Sequence, residues 1–220
     1  MNLKFNKAFT LAEILITLLI VGVVFALTLP MIIQNCKKYI VENRLKTFYS
    51  TINQVLNMAK VDYGDFEHWD TMSSLQYDTN INWAKKYIVP YTSVIDVGHG
   101  PDNPFGAYVM FKNGSMLRIQ SDSIMFYPDK KKIQLQGRDC FAFQWETNLD
   151  RIAAKKNAFE PYSGNRFSIN EDLDYNNLYN TSYYSCKNQI ASCASDQNKF
   201  CTWIIYKNGW KIPYDYPIKF

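Results

Sequence analysis

An uninterrupted run of uncharged, mostly apolar residues lies close to the N-terminus. It extends from Ile14 to Ile33, and Glu13 just before it is the one charged residue between Phe9 and Ile33. At about 1.5 Å per residue, a helix over this run measures roughly 30 Å, the thickness of the hydrocarbon core of a bilayer. Because such a helix has no polar face, it favours lipid over a protein interior. We therefore predict a transmembrane helix over residues 9–33.

A secretory signal peptide is the main alternative for this segment, with Lys4 and Lys7 as its basic n-region. The apolar run is longer than the roughly 7–15 residues usual for the apolar part of a signal peptide. No small-x-small cleavage site clearly follows it. The pattern therefore favours a membrane anchor.

The residues on either side of Glu13 form a specific pattern. A short basic leader, residues 1–8, is followed by FTLAE at residues 9–13, by the apolar run, and by Pro30. This combination resembles the N-terminal signature of type IV prepilins, the family of type IV pilins and type II secretion pseudopilins. The resemblance covers residues 4–30, and it departs from the family at Ala8, where Gly is usual.

The resemblance implies how the chain is processed and assembled. A prepilin peptidase would cut between Ala8 and Phe9, and the new N-terminal Phe9 would be N-methylated. Glu13 would set the axial register of a filament by meeting the amine of a neighbouring subunit, and Pro30 would be a helix-kinking proline. The implied partners are prepilin peptidase, other pilin-like subunits, an inner-membrane assembly platform and, before assembly, the lipid bilayer.

A physical argument also supports a carboxylate at position 13. Cleavage would leave a cationic amine on Phe9 in or near the bilayer, where an unpaired charge is costly. Glu13 lies one helical turn further on, so its side chain reaches either the amine of a neighbour or that of its own chain. The sequence leaves both pairings open.

The charges flanking the run bear on its orientation. Lys4 and Lys7 favour a cytoplasmic N-terminus by the positive-inside bias, whereas Lys37, Lys38 and Arg44 beyond the run oppose it. The prepilin resemblance implies a single-pass protein of the bacterial inner membrane with a cytoplasmic N-terminus and an extracytoplasmic head. It also implies later entry into a pilus or pseudopilus.

Beyond Pro30 the apolar residues recur at three- and four-residue steps, which is the period of an amphipathic helix. One helix is predicted from about Phe9 to Asp62, kinked or locally melted at Pro30 and ended near Gly64. The predicted organisation is a leader at 1–8, a transmembrane helix at 9–33, its amphipathic continuation at 34–63 and a head at 64–220. The residues of the stripe are Val41, Leu45, Phe48, Ile52, Val55, Leu56 and Ala59.

The head is predicted to combine a small antiparallel sheet with short helices. Alternating apolar residues around Asn113-Gly114 indicate a hairpin. Three or four strands packed on the long helix make an α+β, pilin-like fold. The other predicted elements are a helix at Asn82–Ile88, a loop at Tyr91–Pro104, strands at 123–127 and 139–145, surface loops with short helical turns at 148–199, a helix or strand at Lys199–Lys207, and a core-covering aromatic tail at 210–220.

Five cysteines are spread along the chain. Cys36 follows the apolar run, where it is expected to pack as a small apolar residue, and an even set of four in an exported head suggests disulfides. The prepilin resemblance favours Cys186–Cys201, because many pilins close a C-terminal loop in this way. The cysteine spacing does not suit zinc. Asp172, Asp174 and Asn176 lack the later ligands of a calcium loop, so no metal or cofactor is expected.

The composition of the chain argues against an enzyme. His68 and His99 are the two histidines, and no GxSxG, HExxH or P-loop motif is present. The prediction is therefore a pilin-like structural subunit. A membrane-anchored extracytoplasmic binding protein and a DNA-uptake pilin remain as alternatives, although a net charge of +4 gives no strongly basic surface for nucleic acid.

Overall fold

In a computed structural model, the chain is described over residues 9–72, 76–99, 106–120, 123–130, 134–146, 158–163, 179, 184–188, 190–193 and 197–220. The leader with Ala8 and the segment containing Asp172, Asp174 and Asn176 lie outside these ranges. The chain divides into two compact units, the first ending at Ile40 and the second comprising Val41–Phe220.

The longest element is α1, a helix of 53 residues from Leu11 to Tyr63. It continues through Pro30, so the local melting considered at that position is absent, whereas a kink there stays a prediction. Gly64, with φ of 78°, ends the helix in the left-handed conformation typical of the first residue past a helix. The buried residues of α1 are the seven of the predicted apolar stripe, beginning at Val41.

The second unit contains a six-stranded antiparallel sheet, which confirms the predicted α+β fold. Each strand pairs with the next one along the chain, and the predicted hairpin places Val109 opposite Leu117. The strands are β1 (Val94–His99), β2 (Ala107–Phe111), β3 (Met116–Gln120), β4 (Ser123–Tyr127), β5 (Phe141–Trp145) and β6 (Phe159–Pro161).

The predicted count of three or four strands was too low because both edge strands were assigned to loops. Strand β1 lies within the predicted loop Tyr91–Pro104; it is bulged between Val94 and Asp96, which breaks the alternation of side chains. Strand β6 lies within the predicted surface loops at 148–199. It has three residues including Pro161, a residue that an edge strand accepts because its missing N–H is not needed there.

Among the described residues of the second unit there are also two shorter α-helices. Helix α2 spans Tyr77–Tyr87, so it begins five residues before the predicted start at Asn82. Its polar first turn carries no apolar period, but Asp78 there suits the positive end of the helix dipole. Helix α3 spans Phe200–Lys207, which selects the helical alternative for that segment.

Aromatic side chains dominate the core between α1 and the sheet. The ring of Phe48 stacks on that of Phe126 with 3.9 Å between centroids, and it meets the rings of Phe111, Phe143 and Phe159 edge-on. Aromatic pairs of this kind add to the free energy gained by burying the rings. Phe48 therefore anchors α1 on four strands of the sheet.

The C-terminal tail also covers this core, as predicted. Trp210 is buried, and its ring centroid lies 5.0 Å from that of Tyr49 on α1. Tyr216 and Phe220 pack against the same core from partly buried positions. The tail is therefore part of the packed head.

Disulfides join the four cysteines of the head in two pairs, Cys140–Cys193 and Cys186–Cys201. The expectation that Cys36 packs as a small apolar residue was wrong. Its thiol is free and exposed, because it precedes Val41, the first position at which α1 is buried.

Candidate functional site

The first half of α1 is an exposed apolar surface. Every side chain from Phe9 to Ile33 is exposed. The most apolar stretch of α1 has a mean hydropathy of 2.7, and none of its residues is buried. Within the described ranges, α1 is the one helix long and apolar enough to cross a membrane. A continuous apolar surface of this kind marks a membrane or protein contact site.

The hydroxyl groups within this surface are satisfied inside the helix. Thr17 donates to the carbonyl of Ile14 at 2.8 Å, and Thr28 donates to the carbonyl of Val24 at 2.9 Å. An unpaired polar group in hydrocarbon costs several kcal/mol, so these bonds make the threonines compatible with lipid.

A capping box formed by Thr10 and Glu13 starts the helix. Oε2 of Glu13 accepts hydrogen bonds from the backbone N–H and from the hydroxyl of Thr10, each at 2.8 Å. In return, the backbone N–H of Glu13 donates to Oγ1 of Thr10 at 3.3 Å. This reciprocal pair satisfies two N–H groups that have no partner within the helix.

The capping box directs the Glu13 carboxylate toward the start of its own chain. The carboxylate bonds Thr10, the residue next to Phe9, whose side chain is exposed. The negative charge also lies at the positive end of the helix dipole. The predicted pairing of Glu13 with a neighbour's amine stays a prediction, as do cleavage between Ala8 and Phe9 and methylation of Phe9.

Thr10 was not singled out from the sequence as a partner of Glu13. The signal was present, because Thr-x-x-Glu before an apolar run is the sequence pattern of a capping box. The prepilin resemblance implies a role for Glu13 and none for Thr10.

A second feature is a groove of about 220 Å³ beside α1 in the second unit. Its apolar wall comes from Phe48, Ile52 and Val55 of α1 and from Phe111 of β2. Its polar rim consists of Thr47, Thr51, Thr92, Ser93, Lys112, Asn113 and Ser115. The groove thus combines an apolar surface with several hydroxyl groups and one ammonium group.

The C-terminal tail is held on α1 through Glu42. Oε2 of Glu42 lies 2.8 Å from Nζ of Lys211, and Oε1 accepts a hydrogen bond from the backbone N–H of Ile212 at 2.9 Å. Two residues further on, the side chain of Tyr214 is fully exposed.

Each of the two histidines of the head lies on the surface beside one carboxylate. Nε2 of His68 lies 3.4 Å from Glu67, and Nε2 of His99 lies 3.8 Å from Asp78, with all four side chains largely exposed. Among the described residues, no three His, Cys, Asp or Glu side chains are grouped so that they could hold a metal ion. The absence of catalysis and of cofactors stays a prediction.

Comparison with known proteins places the head of this chain in a family. No curated protein and no solved structure matches the chain. A family model described as a family of unknown function, DUF6613, matches residues 31–220. The matched residues begin just after Pro30, and they include the buried part of α1 and the entire second unit. The chain therefore belongs to DUF6613, a family of unknown function.

Proposed function

We propose that this chain is a pilin-like structural subunit of a type IV pilus or type II secretion pseudopilus. Prepilin peptidase removes residues 1–8, Phe9 becomes the methylated N-terminus, and the processed chain polymerises through the first half of α1. The chain acts by assembly and carries no enzymatic activity. Before assembly it is a single-pass protein of the bacterial inner membrane with its head on the extracytoplasmic side.

One observation carries this proposal: α1 is a single helix with an apolar exposed half and an amphipathic buried half. Residues 9–33 are exposed and uncharged apart from Glu13, whereas burial begins at Val41. A membrane anchor alone would account for the apolar half. In a subunit that leaves the bilayer for a filament, the apolar half of α1 first contacts lipid and then packs against other subunits.

The position of Glu13 supports assembly over simple anchoring. A carboxylate at the edge of a membrane span is costly and is usually retained for a function. The capping box with Thr10 lowers that cost while the subunit is in the bilayer. A new amine on Phe9 then supplies a cation with which a carboxylate can pair.

N-terminal sequencing and intact mass of the chain purified from membranes test the proposal. We expect the chain to begin at Phe9, with one methyl group on its amine. The source cell must have an active prepilin peptidase, and processing of a known substrate is the control. An uncut Met1 in such a cell would contradict the proposal, and cleavage after residue 33 would indicate a secreted protein instead.

A further inference from the structure

Tyr214 is an aromatic side chain that its own chain leaves uncovered. It is fully exposed, although the tail on either side is held down by Ile212 at Glu42 and by Tyr216 against the core. The ring of Tyr214 is therefore exposed to solvent, while contacts on either side of it hold the backbone of the tail in place. Rigid, exposed aromatic rings are preferred anchors in protein interfaces.

The groove beside α1 has the chemistry that a tyrosine side chain requires. Phe48, Ile52 and Phe111 offer an apolar wall for the ring. Thr51 and Ser93 at the rim offer hydroxyl partners for the phenol. A buried tyrosine generally finds a hydrogen-bond partner for its hydroxyl group, so both parts of the side chain would be satisfied.

The groove and the tail flank α1 on opposite sides. Phe48 points into the core, and residues on either side of it are rotated by about 100° in opposite directions around the helix axis. Thr47 on one side lines the groove, whereas Tyr49 on the other contacts Trp210 of the tail. The helix thus separates Tyr214 from the groove of its own chain.

We propose that Tyr214 of one copy inserts into the groove beside α1 of a second copy. This contact joins two different surfaces. A linear assembly of copies therefore has an unpaired Tyr214 at one end and an empty groove at the other. Such a heterologous contact propagates into an open filament unless its rotation closes a ring. This contact rests on the proposed function, because polymerisation through the first half of α1 is what brings the copies next to one another.

Charge complementarity favours Tyr214 as the occupant. Asp215 follows Tyr214 and is exposed, and Lys112 is the one cation among the described residues that line the groove. Asp215 already has an interaction within its own chain, and a carboxylate accepts more than one hydrogen bond. Ile190, which is also highly exposed, has neither a hydroxyl group nor an adjacent carboxylate.

Cross-linking of the full chain in membranes tests the contact. In a Cys36→Ser background, Thr92→Cys at the rim of the groove and Pro213→Cys beside Tyr214 place two thiols at the proposed contact and keep both Lys112 and Asp215. The native disulfides occupy the other cysteines. A short bismaleimide should give a ladder of dimers and larger multiples on a denaturing gel. Replacing Pro213→Cys by Ile190→Cys provides a control whose thiol lies at another exposed position of the head.

Adding Tyr214→Ala to the two cysteines should lower the cross-linked fraction at least about tenfold, the usual scale for truncating an aromatic anchor. Because Tyr214 is fully exposed, this change leaves the fold intact, which both native disulfides and resistance to protease verify. Tyr214→Phe should retain most of the ladder.

A ladder that persists in Tyr214→Ala, or that Ile190→Cys gives equally, would overturn the inference. So would the absence of a ladder when the processed chain still enters filaments, and the proposed function would then survive. A ladder that depends on Tyr214 in a chain still beginning at Met1 would support the contact and contradict the prepilin assignment. The two proposals therefore fail in different ways.

Discussion

The carboxylate of Glu42 on α1 holds the ammonium group of Lys211 in the C-terminal tail, with 2.8 Å between Oε2 and Nζ. The two residues are separated by 169 positions, and the backbone N–H of Ile212 donates to the other oxygen of the same carboxylate. The side chain of Glu42 is 12% exposed and that of Lys211 is 60% exposed. Glu42 is therefore the more buried partner, and replacing its carboxylate removes two hydrogen bonds, one from Lys211 and one from Ile212.

We predict that Glu42→Ala lowers the free energy of unfolding by about 1–3 kcal/mol, because it leaves the Ile212 N–H without its acceptor. Lys211→Met should cost at most about 1 kcal/mol, as for an exposed ion pair. Urea unfolding of the full chain in detergent, followed by tryptophan fluorescence, measures both. Glu42→Gln keeps an acceptor and should fall between them. Equal losses for Glu42→Ala and Lys211→Met would mean that the bond to Ile212 contributes nothing.

The capping box allows the charge of Glu13 to be separated from its role in starting the helix. Glu13→Gln keeps an acceptor for the Thr10 N–H but removes the charge. We predict that Glu13→Gln and Glu13→Ala both insert in the membrane and assemble poorly. Thr10→Val should weaken the start of the helix by about 1 kcal/mol and still assemble, because the charge remains. The ratio of sheared filaments to membrane-retained protein is the measurement. Wild-type assembly of Glu13→Gln would rule out a role for the charge.

The two disulfides should differ in what they contribute to stability. The Cys140–Cys193 bond spans 53 residues, and the Cys186–Cys201 bond spans 15. Chain-entropy arguments give about 4 and about 3 kcal/mol for loops of these lengths. We predict that the double replacement of Cys140 and Cys193 by Ala lowers the midpoint of urea unfolding more than the same replacement of Cys186 and Cys201. The reverse order would show that packing near Cys201 outweighs loop closure.

Acid should weaken the contact between α2 and the segment before it. A hydrogen bond from Lys86 is the main reason that the pKa of Asp70 is lowered from its usual value, and Tyr87 contributes a second one. A carboxyl whose pKa falls on folding adds stability above its unfolded pKa, and this stability is lost as the pH falls through the folded value.

We therefore predict that Asp70→Asn flattens the loss of melting temperature below about pH 4, near the unfolded pKa of an aspartate. The effect should be modest, because the Asp70 side chain is 58% exposed and solvent screens its ion pair. Lys86→Met should flatten the same part of the profile, since it removes the main cause of the shift. Melting curves between pH 6 and pH 2 that are parallel for both variants and the wild type would contradict the assignment.

Elements with a strong local pattern were predictable. The buried stripe of α1 follows from apolar residues at helical spacing, and the β2–β3 hairpin follows from Asn113-Gly114. Strands β1 and β6 were missed because an edge strand needs neither regular alternation nor every N–H. The start of α2 at Tyr77 was missed because its first turn has no apolar residues at helical spacing. The feature that suits a helix start there is Asp78, whose charge lies at the positive end of the helix dipole.

The sequence by itself determined the apolar half of α1, the charge at Glu13 and the α+β class, because each depends on residues near one another in the chain. Only the tertiary structure decided which cysteines pair and how Glu42 holds the tail. It also decided that Thr51, Ser93 and Phe111 line one groove while Tyr214 stands uncovered. These features bring together residues that are distant in sequence, and packing of the whole head selects them. The spacing of apolar residues along a helix or strand specifies which of its faces is buried, but it does not specify which other element packs against that face.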